Sequence, residues 1–212
     1  MDNKIPIESV TKSPLNPLQI PFELSPNPHQ IPFELSPNPL QIPSNLLLHN
    51  EHITLRKLEP TDLPFLYAME NDSDAWASSG VHNPLSQQDL RDYIDHTTGD
   101  IYQDLQLRLI IQSRDGETLG AIDLFDFNPH HAKAEMGIYL KPSARGIGIA
   151  QQAVSLLLDY AHTILHLHQV YALVPCNNLR SANLFRNAHF QHTATLLAWF
   201  NQSDTLLFQY LF

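Results

Sequence analysis

The sequence predicts an α/β domain behind a proline-rich tail, with elements in the order β-α-α-β-β-β-α-β-α-β-β around a mixed sheet. Three observations support this fold class. Several short segments alternate apolar and polar residues, which is the pattern of strands. Apolar residues recur every three or four positions from Ala150 to Leu165, which is the pattern of a helix. A turn with two glycines joins a predicted strand to that helix.

Residues 1–44 are expected to form a disordered tail. They hold ten of the 16 prolines and none of the seven glycines, and residues 16–26 and 27–37 repeat the pattern NPxQIPFELSP. Proline removes a backbone donor and disfavours helix, so these repeats predict a mobile chain. Two interpretations remain open, a tandem duplication without function and a set of IPFEL units that bind a hydrophobic surface.

The elements of the domain follow from local patterns. Pro64 falls in the first turn of a helical pattern, where proline is tolerated. Ser86, with Asp89 three positions later, resembles a capping box and predicts the start of a second helix. The expected strands are residues 52–58, 105–113, 118–128, 133–141, 170–174, 190–200 and 205–211. The expected helices are residues 61–70, 86–97, 150–165 and 180–188.

Charge narrows the classes of partner. Residues 45–212 contain 10 Lys and Arg against 18 Asp and Glu, which is −8 of the total net charge of −10. A protein that binds nucleic acid normally presents a basic face, so no nucleic-acid partner is expected. A cationic small substrate is slightly favoured.

The cysteine and histidine residues and the lengths of apolar runs indicate the cellular compartment and whether a metal ion is bound. The single cysteine, Cys176, rules out an internal disulfide and is typical of a reducing compartment. No run of apolar residues reaches the ~18 of a membrane span, and no signal peptide is recognised. Cytoplasm is expected, with no membrane partner. The twelve histidines show no zinc-type spacing, so no metal is expected.

The most informative segment is residues 145–150, RGIGIA, which lies between a predicted strand and the long helix. A helix N-terminus offers unpaired N–H groups and a partial positive charge, and therefore binds anions. Gly146 and Gly148 allow the backbone to approach a diphosphate, and Arg145 adds charge. The segment matches neither a Walker loop nor the dinucleotide-binding turn. An ordinary turn before a helix is the alternative.

Two motifs together resemble the GNAT superfamily of N-acetyltransferases. The acetyl-CoA motif Gln/Arg-x-x-Gly-x-Gly/Ala is matched by Arg145, Gly148 and Ala150. A second block, NLRSANLF at residues 178–185, runs on into Phe190. Over about residues 50–212 the sequence is most similar in appearance to bacterial spermidine/spermine N-acetyltransferases and to relatives that act on the N-termini of ribosomal proteins.

The resemblance implies a single GNAT-type domain over residues 45–212, with a mostly antiparallel sheet of about seven strands and about four helices. It also implies a binding mode for acetyl-CoA. Backbone groups of one strand pair with the pantetheine arm, the glycine turn wraps the pyrophosphate, and Asn178 with its helix closes over the thiol end. A helix N-cap is the alternative role for Asn178. The implied cofactor-binding residues are Ile138, Tyr139, Leu140, Arg145, Gly146, Ile147, Gly148, Ile149, Ala150, Gln151, Asn178, Ser181 and Phe185.

Glu135 is the candidate general base. An amine must lose a proton before it attacks a thioester, and several relatives place a carboxylate at this position of the strand. The alternative is a strand carboxylate that pairs with Lys133 or only orients the substrate.

The sequence departs from the family where a proton donor is expected. Relatives often use a tyrosine at the position of Phe185 to protonate the departing thiolate, and they have glycine at the position of His189. Tyr139 is a candidate substitute for the acid, with packing in the sheet as its alternative role. Histidine tolerates positive φ, so the turn at His189 is expected to survive.

Glu70 and Trp76 are candidates to line the acceptor pocket, with an exposed loop after a helix as the alternative. The resemblance implies transfer of an acetyl group from acetyl-CoA to a primary amine of a polyamine, a protein N-terminus or an amino-acid derivative. A catalytically weak acyl-CoA sensor or interaction protein of the same fold is the second hypothesis. A homodimer is a possible assembly.

Overall fold

The structure, a computed structural model, describes residues 48–72, 83–200 and 202–212. The expectations for the tail at residues 1–44 and for Trp76 lie outside the described residues.

Seven strands and five α-helices are present in the described part of the chain, and their order confirms the predicted fold class. The strands are β1 (Ile53–Lys57), β2 (Leu107–Ser113), β3 (Thr118–Asn128), β4 (Lys133–Leu140), β5 (Gln169–Pro175), β6 (Gln191–Phe200) and β7 (Ser203–Leu211). The helices are α1 (Leu63–Glu70), α2 (Gln87–His96), α3 (Ile101–Asp104), α4 (Ile149–Thr163) and α5 (Leu179–Asn187).

Local signals placed α2 correctly and missed α3. Helix α2 begins at the predicted capping box, because Ser86 accepts a hydrogen bond from the Asp89 N–H and Asp89 accepts one from the Ser86 N–H. Helix α3 is too short to show a period, and Asp100 caps it by accepting from the Tyr102 N–H. It ends at Leu105, which has a left-handed φ of 55°, so β2 starts two residues later than expected.

The seven strands form one sheet in the order β1-β2-β3-β4-β5-β7-β6. All neighbours are antiparallel except β4 and β5, which are parallel. These two strands pair only from Lys133 with Gln169 to Glu135 with Tyr171. Beyond that pair they separate, so the middle of the sheet contains an opening, which we call the β4–β5 opening.

Helices cover both faces of the sheet. Because side chains alternate along a strand, Ile122 of β3 enters the core around Leu157 of α4, whereas Ala121 packs on the other face. That other face is covered by α1 and α2, which contribute Leu66 and Leu90 to a second apolar cluster. We call it the α1/α2 face. Odd-numbered side chains of β4, including Glu135, follow the alternation onto this face.

Candidate active site

The β4–β5 opening exposes one edge of β4. The Leu140 carbonyl accepts a hydrogen bond of 2.9 Å from Arg145 Nε. The next residue, Lys141, points the other way, because its N–H donates to the Leu119 carbonyl of β3. Backbone groups of successive residues point to opposite edges, so Ile138 shares the edge of Leu140 and faces the opening. An extended ligand with amide groups can pair there as a further strand does. The family resemblance implies that the pantetheine arm binds at this edge.

The glycine turn lies between the end of β4 and the start of α4. Gly146 and Gly148 have φ values of 80° and 86°, which only glycine adopts readily, and Gly148 is the N-cap of α4. No side chain caps the helix. A Cβ on Gly146 would have no heavy atom within 4 Å, and one on Gly148 would approach only Gln152 Nε2, at 4.0 Å. The turn is therefore shaped by backbone conformation, with open space in front of the helix N-terminus.

Arg145 is exposed and lies close to this N-terminus. Its Nε donates to Leu140, and its guanidinium carbon lies 5.7 Å from the centre of the Tyr139 ring. The positive charge is thus held at the end of the β4–β5 opening, next to the N–H groups of α4. Together they form a site suited to a diphosphate.

Asn178 is the N-cap of α5. Its side-chain oxygen accepts a hydrogen bond of 3.1 Å from the Ser181 N–H, which is the alternative role that the sequence left open. The cap uses the side-chain oxygen, and the amide nitrogen is the donor that Asn178 would present to a cofactor. Ser181 contributes to the cap through its backbone.

Phe185 lies in the core, with 3% of its surface exposed. Its ring centre lies 5.0 Å from that of Phe190 and 6.2 Å from that of Phe208. His189, which follows α5, has a φ of 65°, so the turn survives without glycine as predicted.

Glu135 lies where β4 and β5 begin to separate, in the last parallel pair with Tyr171. Burial, together with the neighbouring Asp126 carboxylate, raises the pKa of Glu135 to about 8. Hydrogen bonds from the Leu173 N–H and the Tyr171 hydroxyl act in the opposite direction without cancelling these effects. In the described chain no ion pair joins Glu135 to Lys133, whose ammonium lies 5.5 Å from the centre of the Tyr171 ring.

Tyr139 and Glu135 are not brought together. The two residues are four positions apart on β4, or about 13 Å at 3.3 Å per residue. The Tyr139 hydroxyl donates to Asp72 Oδ2 at 3.1 Å, on the side of α1. Burial and this carboxylate raise the pKa of Tyr139. The geometry favours a packing role for Tyr139 over that of the acid that the sequence suggested.

Glu70 ends α1 and is buried, with 4% of its surface exposed, so it does not belong to an exposed loop. Its carboxylate accepts a hydrogen bond of 2.6 Å from Arg108. The same guanidinium binds both oxygens of Asp123 and lies 5.6 Å from the centre of the Tyr93 ring. This Arg108 cluster holds two carboxylates and one cation on the α1/α2 face.

A cleft of about 560 Å³ lies between α1 and the end of β4. It is lined by residues that include Phe65, Met69, Tyr139 and Lys141, and Tyr139 lies four positions from Glu135 along β4. The cleft therefore does not contain the candidate base.

Tyr171 and Asp126 are site residues that sequence reasoning missed. The Tyr171 hydroxyl donates to Asp126 Oδ2 at 2.6 Å across 45 residues of sequence. Alternation with the buried Val170 and Ala172 indicates only that Tyr171 occupies the opposite face of β5. Its partner depends on strand register, which local patterns do not determine.

Within residues 48–72, 83–200 and 202–212, no group of three or more His, Cys, Asp or Glu side chains is placed to hold a metal ion. None of the helices in these ranges is long and apolar enough to cross a membrane.

Known proteins are similar to this chain in sequence. The family described as "Acetyltransferase (GNAT) domain" matches residues 52–191. Spermidine N(1)-acetyltransferase of Escherichia coli (strain K12) is 28% identical over 148 residues, covering 68% of this chain and 76% of that protein. The putative ribosomal N-acetyltransferase YdaF of Bacillus subtilis (strain 168) is 30% identical over 135 residues, covering 62% of this chain and 74% of that protein.

A solved structure agrees with the sequence matches. The crystal structure of spermidine N-acetyltransferase from Vibrio cholerae in complex with CoA and spermine superposes with a TM-score of 0.70 at 26% identity, covering 76% of this chain and 96% of that one. The resemblance predicted from the two motifs is confirmed. The chain belongs to the GNAT acetyltransferase family, and it is an acetyl-CoA-dependent N-acetyltransferase.

Proposed function

We propose that this enzyme acetylates a primary amine of a polyamine. The observation that carries the proposal is the concentration of carboxylates on the α1/α2 face beside the β4–β5 opening. Glu135 and Asp126 lie at the opening, and the Arg108 cluster adds Asp123 and Glu70 against a single cation. A polycation gains from each of these carboxylates that is ionised, whereas a protein N-terminus carries only one charge of its own.

The proposed position of acetyl-CoA follows from the opening and the glycine turn. Its pantetheine arm would pair with the edge of β4 at Ile138, and its pyrophosphate would bind the N–H groups of residues 149–151 beside Arg145. Acetyl-CoA supplies the activated acetyl thioester. This placement directs the acetyl end toward the start of the opening, where Glu135 lies.

Glu135 is the proposed acceptor of the amine proton. With a pKa of about 8, its carboxyl holds a proton in most molecules of the free enzyme at neutral pH. An arriving ammonium favours the ionised carboxylate, because an opposite charge within ~4–6 Å lowers a carboxyl pKa. The carboxylate then takes one N–H proton. The nitrogen lone pair forms the bond to the acetyl carbon, and the carbon–sulfur bond breaks with its electron pair leaving on sulfur. The second proton that the nitrogen must lose passes to the departing thiolate, so that coenzyme A leaves as the neutral thiol.

The departing sulfur needs little help from an acid. A thiol has a pKa near ~8.5, so a thiolate is a good leaving group at neutral pH. The absence of a hydroxyl at Phe185 is therefore compatible with turnover.

The acceptor class is tested with a panel of amines. We expect spermidine and spermine to give a kcat/KM at least about tenfold above that of a peptide with a free N-terminus, and we expect the difference to shrink as salt screens the carboxylates. Release of free thiol from acetyl-CoA measures the rate. A peptide preferred over both polyamines would contradict the proposal. Acetyl-CoA binding without turnover of any amine would instead support the hypothesis of a sensor.

Replacement of Phe185 by tyrosine tests the missing acid. Because Phe185 is packed between Phe190 and Phe208, we expect the new hydroxyl to be buried and to lower stability by about 1–3 kcal/mol if it finds no partner. The gain in turnover should be about tenfold at most, below the ~10²–10⁴-fold usual for a general acid, because the thiolate leaves readily without one. Thermal melting and the rate are measured on the same sample. A stable variant with a much larger gain would show that the hydroxyl reaches the leaving sulfur.

A further inference from the structure

The Tyr171 hydroxyl lies between two carboxylates of unequal exposure. It donates to Asp126 Oδ2 at 2.6 Å, and Tyr171 faces Glu135 in the last β4–β5 pair, close enough for the phenol to lower the pKa of that carboxyl. Glu135 is partly buried, whereas Asp126 is exposed. The three groups therefore form a continuous line from the candidate base to the solvent.

Asp126 is held in this line by an irregularity of β3. The pairing of β3 with β4 shifts between Phe125 and Asn128, and Asp126 takes a left-handed φ of 47° there. Non-glycine residues seldom adopt this conformation, although Asp and Asn do so more readily than others. Without the bulge, the Asp126 side chain would follow the alternation of the strand. The bulge turns it toward β5 instead.

We propose that Tyr171 and Asp126 carry the proton of the acceptor amine from Glu135 to the solvent. The inference rests on the proposed role of Glu135 as the group that accepts this proton. Without such a route, the carboxyl would have to lose its proton through the opening that the substrates fill.

Each transfer conserves atoms and charge. The protonated Glu135 gives its proton to the Tyr171 oxygen while the phenol gives its own proton to Asp126. The phenol ends neutral, Glu135 is again a carboxylate, and the Asp126 carboxyl releases the proton to water. No oxidant or reductant takes part. One rotation of the Tyr171 hydroxyl restores the starting hydrogen bonds.

The surroundings keep Tyr171 a neutral relay. Burial and its hydrogen bond to Asp126 raise the pKa of Tyr171, so the phenol does not accumulate as an anion. The charged groups that face the pair are Asp126 from β3 and Lys133 from β4, whose ammonium lies over the Tyr171 ring. A phenol between two carboxylates can accept from one and donate to the other.

Two conservative variants test the route. Tyr171→Phe removes only the hydroxyl, and Asp126→Asn keeps a residue that tolerates the left-handed conformation. In dilute buffer we expect each variant to lower kcat by about tenfold or more, within the range of proton-transfer effects, with little change in the dissociation constant of acetyl-CoA. Raising the concentration of a small buffer base such as imidazole should restore the rate. Tyr210→Phe, on β7, is the matched control. Its kcat should equal that of the wild type in dilute buffer and should not change when imidazole is added.

Buffer dependence separates a relay from a residue that only supports the fold. A loss of rate that no buffer restores, or an unchanged rate in dilute buffer, would overturn the proposal.

A second measurement does not depend on turnover. The carboxyl carbon of Glu135, followed by isotope-labelled NMR, should titrate at a higher pH in Tyr171→Phe, because the phenol stabilises the carboxylate. If Glu135 titrates unchanged, the contact is absent and the route fails, whichever amine the enzyme uses.

Discussion

Gly148→Leu is expected to weaken acetyl-CoA binding at least about a hundredfold while the fold survives. The substitution places a side chain before the N–H groups of α4, so the diphosphate loses one or two charge-assisted hydrogen bonds of about 1.5–3 kcal/mol each. A Cβ at this position approaches only Gln152 Nε2, at 4.0 Å, so the first atom of the new side chain meets no clash within the protein. Calorimetry with acetyl-CoA measures the affinity.

Backbone strain is the competing explanation, and the chain contains a control for it. Gly116, in the turn between β2 and β3, has a φ of 87° against 86° for Gly148, and a Cβ there meets nothing within 4 Å. Gly116→Leu therefore carries a similar cost for a left-handed leucine, about 1–2 kcal/mol, outside the glycine turn. We expect it to lower the melting temperature by a similar amount and to leave acetyl-CoA affinity unchanged. Equal affinities in the two variants would contradict the diphosphate site.

Features with a local physical cause could be predicted from the sequence. The capping box at Ser86, the period of α4 and the glycine turn each depend on neighbours within a few positions, and the structure has all three. The left-handed turn at His189 is of the same kind. Such features depend on backbone propensity and side-chain spacing, which the sequence contains directly.

The parts of the site that depend on strand register could not be predicted. Glu135 was identified as a candidate base, but its partner Tyr171 lies 36 positions away and meets it only through the short parallel pairing of β4 and β5. Arg108 and Glu70 are separated by 38 positions and join different elements. Asp126 depends on a bulge that has no glycine to mark it. A shift of one residue in any of these strands would send the side chain to the opposite face.

Glu135→Gln is expected to lower turnover by about 10²–10⁴-fold, the usual contribution of a general base, with little change in acetyl-CoA affinity. Glutamine keeps the size of the side chain and cannot accept the amine proton. Glu117→Gln, in the exposed turn before β3, is the control for removing one negative charge. Steady-state rates and calorimetry on both variants separate the loss of proton transfer from a loss of binding.

The pH dependence gives a second signature. In the free wild-type enzyme the competent carboxylate accumulates as the pH rises toward about 8, so kcat/KM should increase up to that region. The increase should be absent in Glu135→Gln and present in Glu117→Gln. If the pH profile of kcat/KM had the same shape in all three proteins, Glu135 would not act as the base and would only orient the substrate.

At high pH, Glu135→Gln should raise the stability of the protein although it lowers its activity. The pKa of Glu135 is raised from 4.5 to about 8 on folding, so the folded state favours the protonated carboxyl. The stabilisation that this proton provides is complete below pH 4.5 and is lost as the pH rises through 8. Above pH 8 the wild type holds a buried charge that Glu135→Gln lacks. The variant should therefore melt at a higher temperature than the wild type at pH 9, and the difference should disappear near pH 4. A variant that is both inactive and less stable at pH 9 would show that its lost activity reflects damage to the fold and not a missing base.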